Sequence, residues 1–179
     1  MSKKLYIALA VLILSSWSMR PPAETQVRDT RSPVKALYLY NFATLIDWPA
    51  DYRKGMFVIG VFGAKDGVYD NLKMKYEGKS LGSQEIVVKN YLSTSQIEEA
   101  HILYITPMTS AQLPTLSSKL RGKSTLLVTE KDGYLSKGAA INFVTNGTSQ
   151  KFEISKSNAK KHKLIIADRL LKLASRVEE

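Results

Sequence analysis

The stretch Met56-Phe57-Val58-Ile59-Gly60-Val61-Phe62 decides the fold. It is a short apolar run rich in β-branched and aromatic side chains, and Gly55 and Gly63 bound it. Such a run reads as a buried strand rather than an amphipathic one. Working toward the C-terminus, a helix is expected from about Val68 to Tyr76, and short strands over Glu85 to Lys89, His101 to Ile105 and Thr125 to Thr129. Helical candidates lie between them near Ser95 to Glu99 and Ser110 to Leu120. Strands alternating with helices imply an α/β domain whose mainly parallel sheet has helices on both faces, a Rossmann-like arrangement.

Two further blocks frame this unit. On the N-terminal side, Ser32 and Pro33 suit a helix start, and Val34, Leu37, Tyr38, Phe42, Leu45 and Ile46 recur at three- and four-residue spacing until Trp48-Pro49 closes the segment. On the C-terminal side, strand patterns at Ala139 to Thr145 and Thr148 to Ile154 flank Asn146-Gly147, a dipeptide suited to a type I′ turn. Counting outward from that turn pairs Phe143 with Gln150, Ile141 with Phe152 and Ala139 with Ile154. This antiparallel hairpin gathers the large apolar side chains on one face and puts Asn142, Lys151 and Glu153 on the other, with Asn142 beside Lys151. The spacing of Leu164, Ala167, Leu170, Leu171, Ala174 and Val177 predicts a last amphipathic helix from Leu164 to Val177.

The first 18 residues set the compartment. Lys3 and Lys4 precede an unbroken apolar run from Leu5 to Leu14, and Ser16 and Ser18 are small residues at the positions a signal peptidase reads. Residues 1–18 are therefore expected to be a secretory signal peptide, residues 19–31 a flexible linker and residues 32–177 a single domain. Cleavage after Ser18 would leave 161 of the 179 residues and lower the net charge of +10 by the two lysines removed. Export would argue against nucleic acid as the partner of so basic a chain; anionic lipid head groups, an acidic protein surface or plain solubility remain.

Little in the sequence points to catalysis. The two histidines, His101 and His162, are far apart and accompanied by neither cysteine nor a carboxylate cluster, a poor basis for a metal site. Gly60, Gly63 and Gly67 precede a helix but match neither the dinucleotide fingerprint nor a P-loop, so ordinary turn glycines are the expectation. No cofactor is expected. Tyr38, Tyr40 and Trp48 stand out because the aromatic stripe wraps beyond one helix face, which makes them candidates for self-association.

Together, VKALYLYNFATLIDWP at 34–49 and INFVTNGTSQKFEISKSNAKKHKLIIADRLLKLASRV at 141–177 resemble the YfiR family of exported bacterial proteins. The resemblance implies a periplasmic, non-enzymatic, homodimeric regulator that represses an inner-membrane diguanylate cyclase by binding its periplasmic portion, and so lowers cyclic-di-GMP signalling and affects biofilm control. It also implies that the Phe-Glu-Ile strand and the segment after it engage the cyclase, making Glu153, Ala159 and Leu164 the partner-binding counterparts, with Asn142 and Lys151 beside them from the hairpin pairing. Relatives link function to envelope redox state through disulfides. With no cysteine, this chain cannot do so. The alternative readings are a periplasmic small-ligand or envelope-binding protein of the same fold and, third, an enzyme of unknown substrate.

Overall fold

The computed structural model describes residues 29–179. The expected signal peptide and most of the linker lie outside the described residues. Helix α1 (Arg31–Leu45) leads into a two-residue strand β1 (Ile46–Asp47), followed by β2 (Phe57–Phe62), α2 (Gly67–Tyr76), β3 (Ser80–Leu81), β4 (Gln84–Tyr91) and β5 (Ile102–Ile105). Then come α3 (Leu113–Lys119), β6 (Leu126–Thr129), β7 (Ile141–Asn146), β8 (Ser149–Ser155), α4 (Lys156–Lys161), β9 (Ile165–Ile166), α5 (Asp168–Leu171) and β10 (Arg176–Glu178). Eight strands form one sheet in the order β10-β8-β7-β6-β5-β2-β4-β3. From β7 to β4 every neighbouring pair is parallel, as the apolar, doubly covered strands predict.

Alternation along the strands splits the core in two. Ile59, Ile102, Tyr104, Leu126, Val128 and Phe143 pack on one face under α1 and α2, while Phe62, Leu103, Ile105 and Leu127 pack on the other with Leu113 and Leu116 of α3. Gly60 sits mid-strand for a packing reason: a Cβ there would come within 2.6 Å of the Tyr91 ring on β4.

Helix α1 forms where expected but presents a different face. Asp29 caps it, its Oδ1 accepting from the N–H groups of Arg31 and Ser32 at 3.0 and 3.1 Å. Ser32 is therefore inside the helix rather than its cap. The buried residues are Ser32, Lys35, Ala36, Leu39, Phe42 and Ala43, whereas Val34 and Leu37 are exposed. Hydropathy alone favours the larger side chains; the small Ala36 and Ala43 instead let the helix approach its neighbours closely, and that selects the inward face.

Two expectations at the C-terminal end are corrected. The hairpin pairs Phe143 with Phe152, Ile141 with Ile154 and Asn142 with Glu153, two residues away from the register counted from Asn146-Gly147. Asn146 pairs with Ser149, so Gly147 and Thr148 make the turn, and Gly147 at φ +58° occupies the first central position as in a type II′ turn. A slip of two keeps the period-2 alternation, so the apolar face survives while Asn142 loses Lys151 as its neighbour.

The expected last helix from Leu164 to Val177 does not form. Its residues are divided among β9, which pairs antiparallel with β1, the single-turn α5, and β10, which adds parallel to β8. Smaller revisions follow the same logic: Ser95 to Glu99 contributes only a 3-10 turn at Thr94–Gln96, and the segment before α3 is 3-10 over Pro107–Gln112.

Candidate partner-binding site

The segment after β8 is held by side chains that replace missing backbone partners. Ser155 caps α4 by accepting from the Asn158 N–H, and Asn158 Nδ2 donates to the carbonyls of Leu135 and Ala139 at 2.7 and 2.9 Å. The chain then turns back at Lys163, whose φ of +57° is the left-handed conformation, and the N–H of Leu164 donates to the Ala159 carbonyl. Ile166 pairs with Ile46, which ties this return to the end of α1. The result is an apolar groove of about 310 Å³ lined by Ala159, Leu164, Ile165, Ile166 and Leu171, with Lys156 and Lys160 at its edge. Ile165 is 68% exposed there.

Two of the five expected partner-binding residues, Ala159 and Leu164, thus come together. Glu153 lies elsewhere: it projects from β8 on the face opposite Ile154, and Arg176 of β10 binds both its carboxylate oxygens at 3.1 and 3.0 Å. Asn142 is fully buried, its Oδ1 accepting from Thr129 Oγ1 and the Lys131 N–H while its Nδ2 has no partner. Lys151 is exposed opposite Val144. Sequence reasoning missed Ile165 and Ile166, because an assumed helix placed them off its apolar stripe.

The aromatic candidates are drawn into the fold. Trp48 is 5% exposed, stacks edge-on with Phe57 and donates from Nε1 to the Ser124 carbonyl. Tyr40 stacks on Tyr76 at 4.6 Å and Tyr38 packs edge-on against Phe152 at 5.1 Å, each keeping part of its surface in solvent.

The carboxyl ends of β2, β5 and β6 are where ligands enter many open α/β sheets. Here Lys35 of α1 fills that position: its Nζ lies 2.6 Å from Glu130, which also accepts from Tyr104 OH at 3.0 Å. Burial and the nearby Glu130 hold the Tyr104 phenol far above its ordinary range, and burial raises the Asp66 carboxyl. Gly67 lies under the start of α1, where a Cβ would meet Asp29 and Ser32 within 3 Å. The glycines thus serve close packing.

Both histidines are anchored to backbone. His101 Nδ1 accepts from the Val58 N–H and its Nε2–H donates to the Tyr52 carbonyl, which defines a neutral ring whose pKa burial lowers. His162 Nδ1 lies 2.9 Å from the Lys123 carbonyl. Among the described residues no group of three potential metal ligands comes together, and no helix is long and apolar enough to cross a membrane.

The fold is an α/β sheet whose closing segment carries an apolar surface groove. The chain belongs to the YfiR/HmsC-like family, whose model matches residues 32–175. That family is one of periplasmic regulators of cyclic-di-GMP signalling and is regulatory rather than catalytic. Among solved structures it is similar to a conserved domain protein from Vibrio cholerae, at a TM-score of 0.57 and 12% identity, over 80% of this chain and 60% of that one. That likeness is one of fold, and this chain spans about three fifths of that protein's length. No curated protein matches the chain.

Proposed function

We propose that the protein is exported by its first 18 residues and represses an inner-membrane diguanylate cyclase by binding the cyclase's periplasmic portion. The observation that carries this reading is the family match across residues 32–175. The groove of Ala159, Leu164, Ile165, Ile166 and Leu171 supplies a surface of fitting chemistry, and Lys160 at its edge favours an apolar segment flanked by acidic residues. Glu153 and Lys151 belong to a second zone on the opposite sheet face, which would contribute through charge if the partner wraps around β10, while Asn142 is buried behind it and could only support that zone from within. The absence of cysteine leaves release of the partner to something other than disulfide exchange within this chain.

Self-association fits the exposed side of α1, where Val34 and Leu37 accompany the partly exposed Tyr38 and Tyr40. Light scattering over a concentration series should then show a dimer.

The test is co-purification from envelopes together with cellular cyclic-di-GMP. Deleting the gene should raise cyclic-di-GMP, and Ile165→Asp should lose the captured cyclase while keeping its thermal melt, because this side chain is exposed. Glu153→Lys, assayed the same way, decides whether the second zone takes part. Unchanged cyclic-di-GMP with no membrane cyclase captured would refute the reading.

A further inference from the structure

A further cavity belongs to neither the groove nor the sheet edge. It measures about 530 Å³ and lies between the C-terminal end of α3, the loop before β7 and the far side of α4. Arg121, Lys137 and Lys161 supply three cationic side chains to it, and Ser117 and His162 form part of its wall. No Asp or Glu lines it, and none of the three cations forms an ion pair among the described residues. This sets them apart from Lys35, Lys73, Lys156 and Arg176, each of which has a carboxylate within 3.0 Å.

The wall behind these charges is built rather than loose. Asn158 and His162 are 6% and 5% exposed. Asn158 is fixed through two donated bonds to the loop carbonyls, and its Oδ1 accepts from Lys161 Nζ at 3.0 Å, which holds that ammonium at the cavity while leaving its other hydrogens free. Lys137 lies over the Tyr134 ring at 4.5 Å. Gly138, at φ +109°, brings the loop so close to α3 that a Cβ would sit 3.2 Å from Ser117 Oγ. Like charges grouped around a concave surface repel one another and raise the positive potential within it, and a multivalent anion offsets that repulsion while accepting the free N–H groups.

We propose that this cavity binds a phosphate-bearing anion carrying two or more negative charges. Guanidinium and ammonium donors together match phosphate oxygens, and the volume exceeds what inorganic phosphate needs, so a diphosphate or the ester of a larger molecule suits it better. The phosphate can belong to a soluble ester or to a lipid head group, and the experiment separates the two. It is independent of the cyclase, so its outcome stands apart from that of the proposed repression.

The purified protein is titrated calorimetrically with pyrophosphate and, separately, inorganic phosphate, and is co-sedimented with anionic and with neutral phospholipid vesicles. Saturable binding of pyrophosphate, tighter than that of phosphate, is expected, and Arg121→Glu with Lys137→Glu should weaken it at least about tenfold. Both substitutions are at exposed side chains, so the melt without ligand should be unchanged; Lys75→Glu, on α2, is the control for a charge reversal away from the cavity. Pyrophosphate binding without vesicle binding assigns a soluble ester, and vesicle binding abolished by the same double variant assigns a head group. No binding in either arm, or binding that the double variant weakens no more than Lys75→Glu does, overturns the proposal.

Discussion

Between Arg31 and Leu45 the backbone runs as one helix, whereas between Leu164 and Glu178 a similar apolar spacing is divided among β9, α5 and β10. The two segments touch, since the Ala167 N–H donates to the Leu45 carbonyl and β9 pairs with β1. The difference lies in where their backbone groups find partners. Helix α1 has a side-chain cap in Asp29, its one proline close to the N-terminus where the N–H would be unpaired anyway, and a face of small and large apolar residues against the sheet. The closing segment starts its helix at Ala167, which offers no capping side chain, beside two open strand edges. β1 takes Ile165 and Ile166, and β8 takes Arg176 to Glu178, with the Ser175 N–H donating to the Phe152 carbonyl. Pairing an exposed edge satisfies donors and acceptors of both chains at once, and a helix of marginal length cannot compete.

That contrast can be broken from either side. The largest effect is expected from Phe42→Ala, which empties a fully buried aromatic site between α1 and the hairpin and should cost about 4 kcal/mol in denaturant unfolding, with the whole domain losing stability together. Lys35→Met should cost about 3 kcal/mol, because Glu130 would be left largely buried without its counter-charge. Adding Glu130→Gln should recover much of that loss; no recovery would mean that packing of the lysine stem, and not charge, holds α1 there.

Ser175→Pro removes the N–H that docks the closing strand and should cost about 1–2 kcal/mol. Hydrogen exchange should then quicken along β8 and β10 while α1 stays protected. Equal acceleration in α1 would show that both segments belong to one cooperative unit. The smallest effect is expected from Arg176→Glu, which opposes Glu153 at an exposed site: a fall in melting temperature smaller than that of Ser175→Pro, and further reduced by salt.

The pH dependence of stability bears on a third anchor, the link between β2 and the chain after α1. Because burial lowers the His101 pKa, the unfolded chain binds the proton more readily than the folded one. Stability from this group is therefore present above the unfolded value near 6.5 and declines as the pH falls below it. His101→Gln, which can accept from Val58 and donate to Tyr52, should flatten that part of a melt-versus-pH curve. An unchanged slope would assign the acid sensitivity to other groups.

Much of the sheet was legible because buried parallel strands are written as local apolar runs: 56–62, 101–105 and 125–129 each fall within a residue or so of β2, β5 and β6. The candidate site was less so. Ala159 and Leu164 were reached through resemblance, but Ile165 and Ile166 carried no signal while a helix was assumed across them. The cationic cavity had even less, for Arg121, Lys137 and Lys161 stand on three separate elements and meet only when α4 packs on the loop before β7.

By itself, the sequence determined the alternation of strands and helices, the apolar face of the hairpin and the family, since each rests on local periodicity or on residues read in order. Only the tertiary structure decided the inward face of α1, the hairpin register, the conversion of the closing segment into edge strands and the convergence of unpaired cations. Each of those depends on which backbone edge, cavity or charge from a distant part of the chain is left needing a partner, and that is a property of the assembled fold.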